Sequence, residues 1–208
     1  MFKKVLSLAL ATSALTTGPV LAQSSAVEQA KATNHPETLY LLGQKELARF
    51  QFDNAIAIFK RAMQHSPSPR YTSLIKLSLF TTYKVAGVSK LETFPHQAIP
   101  MLKAAIELEP TDAFLYSRLG DAYCHDKVQD YTTCLHFHSE RIKVHPDKGL
   151  GYFSRGVVRL HRIEDKSSAY TDFRRAIKAA LTAGDKASAR RYLNYAVQAG
   201  MPVPKAFR

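Results

Sequence analysis

Two cysteines and a group of histidines are the first residues in this chain that could do chemistry. Cys124 and Cys134 are the only cysteines among 208 residues. A pair of thiols forms a disulfide, stays free or binds a soft metal, and compartment and spacing decide which. His125, His136, His138 and His145 lie close by. Cys134 and His138 stand at i, i+4, and with Cys124 they offer three metal ligands. Against this, no CxxC or HExxH spacing occurs. His136 and His138 are about 200° apart around a helix, so they cannot chelate together. An even cysteine count in an exported chain favours the disulfide, with free thiols and the metal site as alternatives. His138 then reads as a hydrogen-bonded core histidine.

Signatures of catalysis are missing. Gly149-Leu150-Gly151 suggests a nucleotide loop, but Ser154 stands where the third glycine belongs and no strand precedes it. There is no nucleophile elbow, and the carboxylates pair only as neighbours on a helix surface. The chain reads as no enzyme, with no cofactor and no metal.

Charge marks a second candidate region. Residues 23–140 carry 12 Lys/Arg and 12 Asp/Glu, whereas residues 141–208 carry 15 Lys/Arg and 5 Asp/Glu, net +10. Arg155, Arg159 and Arg162 share one helix face. Arg174, Arg175 and Lys178 follow, then Arg190 and Arg191, and together they are candidates for one basic surface over three helices. Such a surface draws anionic lipid, acidic glycan or acidic protein. The alternative pairs these cations with Glu140, Glu164, Asp165 and Asp172, or leaves them as a solvated surface.

Compartment follows from the N-terminus. Lys3 and Lys4 precede a short apolar run, Val5 to Leu15, then Gly18-Pro19 and Val20-Leu21-Ala22. This is the form of a secretory signal peptide, residues 1–22, cut before Gln23. The run is too short to span about 30 Å of hydrocarbon, so the mature chain is expected not to span a membrane. It is expected to be exported, most simply to a bacterial periplasm, which makes nucleic acid a poor partner.

The elements that position these residues are helices. In Pro36–Pro67, Leu39, Leu42 and Gly43 lie on one side of a first helix, and Ala55, Phe59 and Ala62 follow at i, i+4, i+7 on a second. Gly43 and Ala55 are small where the backbones cross, and Pro67 stops the second helix. The same grammar recurs in Tyr116, Leu119, Gly120, Tyr123, Tyr131, Cys134 and Pro146, and again in Tyr152, Gly156, Ala169, Phe173 and Ala176. A repeated hairpin of this kind makes a solenoid.

Over residues 36–181 this pattern resembles the tetratricopeptide repeat. The resemblance implies an all-α, right-handed solenoid of about four helical hairpins (36–69, 71–112, 113–148, 149–181). A lead-in, residues 23–35, precedes them. Residues 182–208 form a capping helix, started by Asp185 and ended at Gly200-Met201-Pro202, and a flexible tail. In the second unit, Leu74, Leu77 and Ser78 form the first helix with Ser78 at the crossing. Gly87 ends that helix, residues 88–95 form an insertion between the helices, and Pro100 falls in the first turn of the next helix or kinks it. Arg155 and Arg159 stand where the family is apolar.

In this family the first helix of each pair lines a groove that holds a peptide or a partner helix. The resemblance places Tyr40, Gln44 and Leu47 there, then Ile75, Leu79 and Thr82, then Ser117, Asp121 and Cys124, then Phe153, Val157 and Leu160. Lys76, Arg118, His125 and His161 border the stripe. Tyr40 and Gln44 occupy the places where some relatives grip a peptide carboxylate with Lys and Asn, so that mode is not expected. The resulting expectation is an exported, non-catalytic interaction scaffold for a protein or peptide partner. The alternative is an envelope adaptor that docks on an anionic component through its basic C-terminal third.

Overall fold

The computed structural model describes residues 26–66, 68–146 and 148–203. Residues 1–22, the stop at Pro67 and the tail from residue 204 lie outside them. The described residues form ten helices and no strand: α1 (Ala26–Lys31), α2 (Pro36–Ala48), α3 (Phe52–Gln64), α4 (Pro69–Lys90), α5 (Pro95–Leu108), α6 (Ala113–Cys124), α7 (Tyr131–Val144), α8 (Leu150–His161), α9 (Lys166–Thr182) and α10 (Lys186–Gln198). Each helix packs chiefly on its neighbours in sequence, α2 on α3, α4 on α5, α6 on α7 and α8 on α9. The fold is an all-α solenoid of helical hairpins. α1 closes one end against α2, and α10 closes the other against α9.

The helix starts are written in the sequence. Ser68, Asp112, Asp130, Asp165 and Asp185 each accept a hydrogen bond from a backbone N–H in the first turn of α4, α6, α7, α9 and α10. α8 has no such cap. Gly149 stands there because a Cβ would come within 2.2 Å of the Ala176 carbonyl oxygen.

The hairpins share one internal frame. On each first helix a glycine faces a side chain of the second helix, so closely that a Cβ would overlap it. The pairs are Gly43 with Phe59, Gly87 with Leu102, Gly120 with His138 and Gly156 with Phe173. Four residues before each of these side chains stands Ala55, Ala98, Cys134 or Ala169, all fully buried. Three residues after it stands Ala62, Ala105, Arg141 or Ala176.

This frame corrects the reading of the second unit. Gly87 does not end the first helix, and residues 88–95 are not an inserted loop. α4 runs unbroken for 22 residues to Lys90, and Gly87, not Ser78, marks the crossing. The extra length lies at the start of α4. Those added turns pack back on the first hairpin: Gln44 donates to the Ser78 hydroxyl at 2.9 Å, and the Tyr71 ring meets Tyr40 edge-on. Pro100 lies inside α5 rather than in its first turn, so one i→i−4 bond is missing there. At the far end Met201, in the segment expected to end α10, is buried among α9 and α10 side chains.

Candidate functional site

Counting from each crossing glycine finds equivalent positions on the first helices, about 60° to 100° around from the face that meets the partner helix. Three before and one after Gly43 stand Tyr40 and Gln44. The same positions are Lys84 and Val88 in the second hairpin, Ser117 and Asp121 in the third, and Phe153 and Val157 in the fourth. Ile75, Leu79 and Thr82, expected on the groove, are instead buried where α4 packs on the first hairpin.

The other expected groove residues are largely committed to neighbours. Gln44 donates to the Tyr40 hydroxyl at 3.0 Å, and Tyr40 also packs on Phe59. Leu47 packs on the N-terminal core, and Val157 and Leu160 pack on the C-terminal one. Phe153 stacks on Tyr192 with ring centroids 4.6 Å apart. His161 is exposed, with its Nε2 2.7 Å from the Tyr195 hydroxyl. Arg118 pairs with Asp121 at 3.2 Å and lies over the Phe114 ring.

Three of the clefts among the described residues follow one another from α4 to α10. The first, about 530 Å³, lies between α4 and α6 and is lined by Phe80, Lys84, Val85, Val88 and Phe114. Val85, Val88 and Phe114 are exposed, so this surface is apolar and open. Lys84 spans it, lying over the Phe80 and Phe114 rings and pairing with Asp112 at 2.6 Å. The second cleft, about 430 Å³, shares Phe114 with the first and reaches Ser117, Arg118, Arg141 and Lys148. The third, about 570 Å³, shares Arg141, Lys148 and Leu150 with the second and ends at Arg191 and Tyr192 of α10. Cations are added toward α10, with Asp112 beside them in the second cleft and Asp185 in the third.

Sequence reasoning missed Lys84, Val88, Phe114 and Arg141 as lining residues. Lys84 and Val88 were hidden by the misplaced crossing at Ser78. Arg141 did leave a signal, since it is a charged residue where the repeat has alanine.

The cysteines form a disulfide, with Cα atoms 5.4 Å apart. Cys134 is buried in the hairpin, and the turn between α6 and α7 folds back to bring Cys124 to it. Both thiols are thereby unavailable to a metal. Among the described residues no group of three or more His, Cys, Asp or Glu is placed to hold one. His138 is a core residue, 1% exposed, but it is not hydrogen-bonded: its Nδ1 has no partner and its Nε2 lies 3.8 Å from Asp121. Burial, reinforced by Arg141, Arg155 and Arg118, pushes its pKa down to about 4, so the ring is neutral.

The expected basic surface is broken up. Arg155 and Arg159 do not face solvent together. Both turn inward to Asp172, which is 0% exposed, at 2.8 and 2.7 Å, and Arg155 also donates to Ser139. A carboxylate buried on α9 thus accounts for two arginines at apolar positions on α8. Arg162 pairs with Asp126 across to the α6–α7 turn. Arg174, Arg175, Lys178, Arg190 and Arg191 remain exposed on α9 and α10. No helix among the described residues is long and apolar enough to cross a membrane.

No protein-family model matches the chain, and no curated protein matches it. Among solved structures it is similar to a crystal structure of MamA, with 20% identity, 76% of this chain and 86% of that one covered, and a TM-score of 0.51. It is also similar to the TPR2AB domain of yeast Sti1 in complex with pHSP90, with 13% identity, 84% of this chain and 75% of that one covered, and a TM-score of 0.53. At such identities what is shared is the fold.

Proposed function

The chain has the tetratricopeptide-repeat fold, and on that premise we propose that it is an exported, non-catalytic scaffold. It holds a peptide or a partner helix along the first-helix side of the solenoid. The observation that carries this reading is the open apolar cleft of Phe80, Val85, Val88 and Phe114 between α4 and α6. Exposed apolar surface of this kind, rimmed by polar residues, is where soluble proteins take partners. The Sti1 domain similar in fold was solved in complex with pHSP90, which agrees with this use of the scaffold.

The test is partner capture by the mature chain, residues 23–208, and by Val88→Glu and Phe114→Glu. Both substitutions put charge on an exposed position, so helicity and melting temperature should stay near those of the parent while binding falls by roughly a hundredfold or more. Unchanged capture by both variants contradicts the reading. Export is supported by Lys3, Lys4, the run Val5 to Leu15 and the Ala22-Gln23 junction. It predicts that the native protein begins at Gln23, and a mass that retains Met1 opposes it.

A second reading rests on the exposed cations Arg174, Arg175, Lys178 and Arg190. In that reading α9 and α10 dock on anionic envelope material, and binding weakens steeply between low and physiological salt. Binding that ignores salt excludes it.

A further inference from the structure

α4 carries a surface that the other first helices are too short to carry. It has 22 residues, against 13 in α2 and 12 each in α6 and α8. One side is buried among neighbouring helices through Ile75, Leu79, Tyr83 and Ala86. Leu74, Leu77, Thr81, Val85 and Val88 lie on the other side, within about 80° around the axis, and all five are exposed. Arg70 and Glu92 continue this line by four residues at either end. Both are exposed, and neither is held in an ion pair within the described residues. Leu91 keeps helical geometry past the end of α4, so Glu92 stays near the line.

The line is symmetric about Thr81. From Arg70 to Glu92 its steps are 4, 3, 4, 4, 3 and 4 residues, the same from either end. The side chains follow that symmetry: Val88 answers Leu74, Val85 answers Leu77, and the Glu92 carboxylate answers the Arg70 guanidinium. A surface that repeats its own pattern in reverse is what a two-fold contact requires, since each residue pair is then made twice. Opposite charges at the two ends attract in an antiparallel pair, whereas a parallel pair sets like charges together. Lys84, at the edge of the line, is already paired with Asp112 at 2.6 Å. A cleft of about 600 Å³ lies beside Ser73, Leu74 and Leu77, and the cleft of about 530 Å³ lies beside Val85, Val88 and Phe114. Each end of the line thus has room for side chains from the opposite end of another.

We propose that this face of α4 binds α4 of a second copy of the chain, antiparallel, about a two-fold axis at Thr81. Leu74 then meets Val88 of the second copy, Leu77 meets Val85, and Arg70 pairs with Glu92. This rests on the reading of the α4–α6 cleft as a place for a partner helix, and it names that helix. A contact made chiefly by one helix pair is at the small end of specific interfaces, so the association is in the micromolar range.

The test is sedimentation equilibrium of purified residues 23–208 over a range of concentrations, with no other protein present. The parent should dimerise, and Leu77→Glu should weaken the dimer about a hundredfold. Arg70→Glu and Glu92→Arg, each alone, should weaken it about tenfold, and the two together should restore it. A short bismaleimide should join two copies of Thr81→Cys. The native cysteines are bonded to each other, so the new thiol reacts alone. It should not join copies of Arg70→Cys, whose thiols would stand about 33 Å apart. A parent that is monomeric at about 500 μM overturns the proposal. So does a dimer that ignores Leu77→Glu, a charge exchange that does not restore association, or a crosslink from Arg70→Cys and none from Thr81→Cys. Native-partner capture separates this proposal from the reading it rests on. If the parent is monomeric and Val88→Glu abolishes capture, the second copy fails and the cleft reading stands. If capture ignores Val88→Glu while the charge exchange restores the dimer, the cleft reading fails and the α4 pair stands.

Discussion

The first and third hairpins stand on one frame and differ at three equivalent positions. Around Gly43 the second helix supplies Ala55, Phe59 and Ala62, all fully buried and apolar. Around Gly120 it supplies Cys134, His138 and Arg141. The second hairpin follows the first with Ala98, Leu102 and Ala105, and the fourth does so with Ala169, Phe173 and Ala176. The third hairpin alone replaces all three apolar contacts, with a disulfide, a neutral histidine and a buried cation. The difference teaches that helix crossing depends on the glycine and on the volume opposite it, not on how apolar that volume is. One repeat can therefore carry polar chemistry while its neighbours supply the packing.

The sharpest way to break the comparison is to leave buried charge unpaired. Asp172→Ala strands Arg155 and Arg159 against α9 and should cost about 3–5 kcal/mol, read by urea denaturation. Phe59→Ala, which empties the equivalent crossing in the first hairpin, should cost a similar 3–5 kcal/mol through its cavity. A cost below about 1 kcal/mol for Asp172→Ala would mean that the pair is solvated.

The next effect is a dependence on pH. The folded pKa of His138 is about 4 against an ordinary 6.5, so the unfolded chain binds its proton first. This contribution is complete above pH 6.5 and is lost as pH falls toward 4, by up to about 3 kcal/mol. Arg118 and Asp121 on α6, Arg141 on α7 and Arg155 on α8 are the charged groups around it. His138→Phe copies Phe59 and Phe173 and should flatten the fall in stability between pH 7 and pH 4.5 relative to the parent. An unchanged slope would place the acid sensitivity elsewhere.

Removing the disulfide comes third. Cys124→Ser/Cys134→Ala opens a loop of sequence separation 10, and the chain-entropy model gives a loss of about 3 kcal/mol or less. Reducing agent should lower the parent's melting temperature and leave that of the variant unchanged. The smallest effect is at the cap of α7: Asp130→Ala loses the bond from the Thr133 N–H and should cost about 1 kcal/mol. That same bond holds the Asp130 carboxyl below its ordinary range, so the cap weakens only in acid.

Much of this frame was legible in the sequence. Gly43, Gly120 and Gly156, with Phe59, His138 and Phe173 at near-constant distance, specify three hairpins by themselves. Asp130, Asp165 and Asp185 mark helix starts by residue type and place. The second hairpin was obscured because Leu74, Leu77 and Ser78 copy the local pattern of a crossing nine residues too early. Gly87, after Ala86, has the look of a helix stop. Only the partner side chain, Leu102, separates a crossing glycine from a terminal one. That slip moved the groove from Lys84 and Val88 to buried Ile75, Leu79 and Thr82. The arginines of α8 show a different limit. Arg155, Arg159 and Arg162 share a helix face in any reading, but whether that face meets water or Asp172 is decided by where α9 lies.

The central claim is that a partner binds on the first-helix side and not on the exposed arginines of α9. Its most direct test is a photocrosslinking residue placed at Val88, or at Arg174, in residues 23–208 exposed to an extract of the native cells. The account predicts a discrete protein adduct from position 88 that persists at high salt, and none from position 174. Adducts from position 174 alone, lost as salt rises, would contradict it and move function to the basic surface.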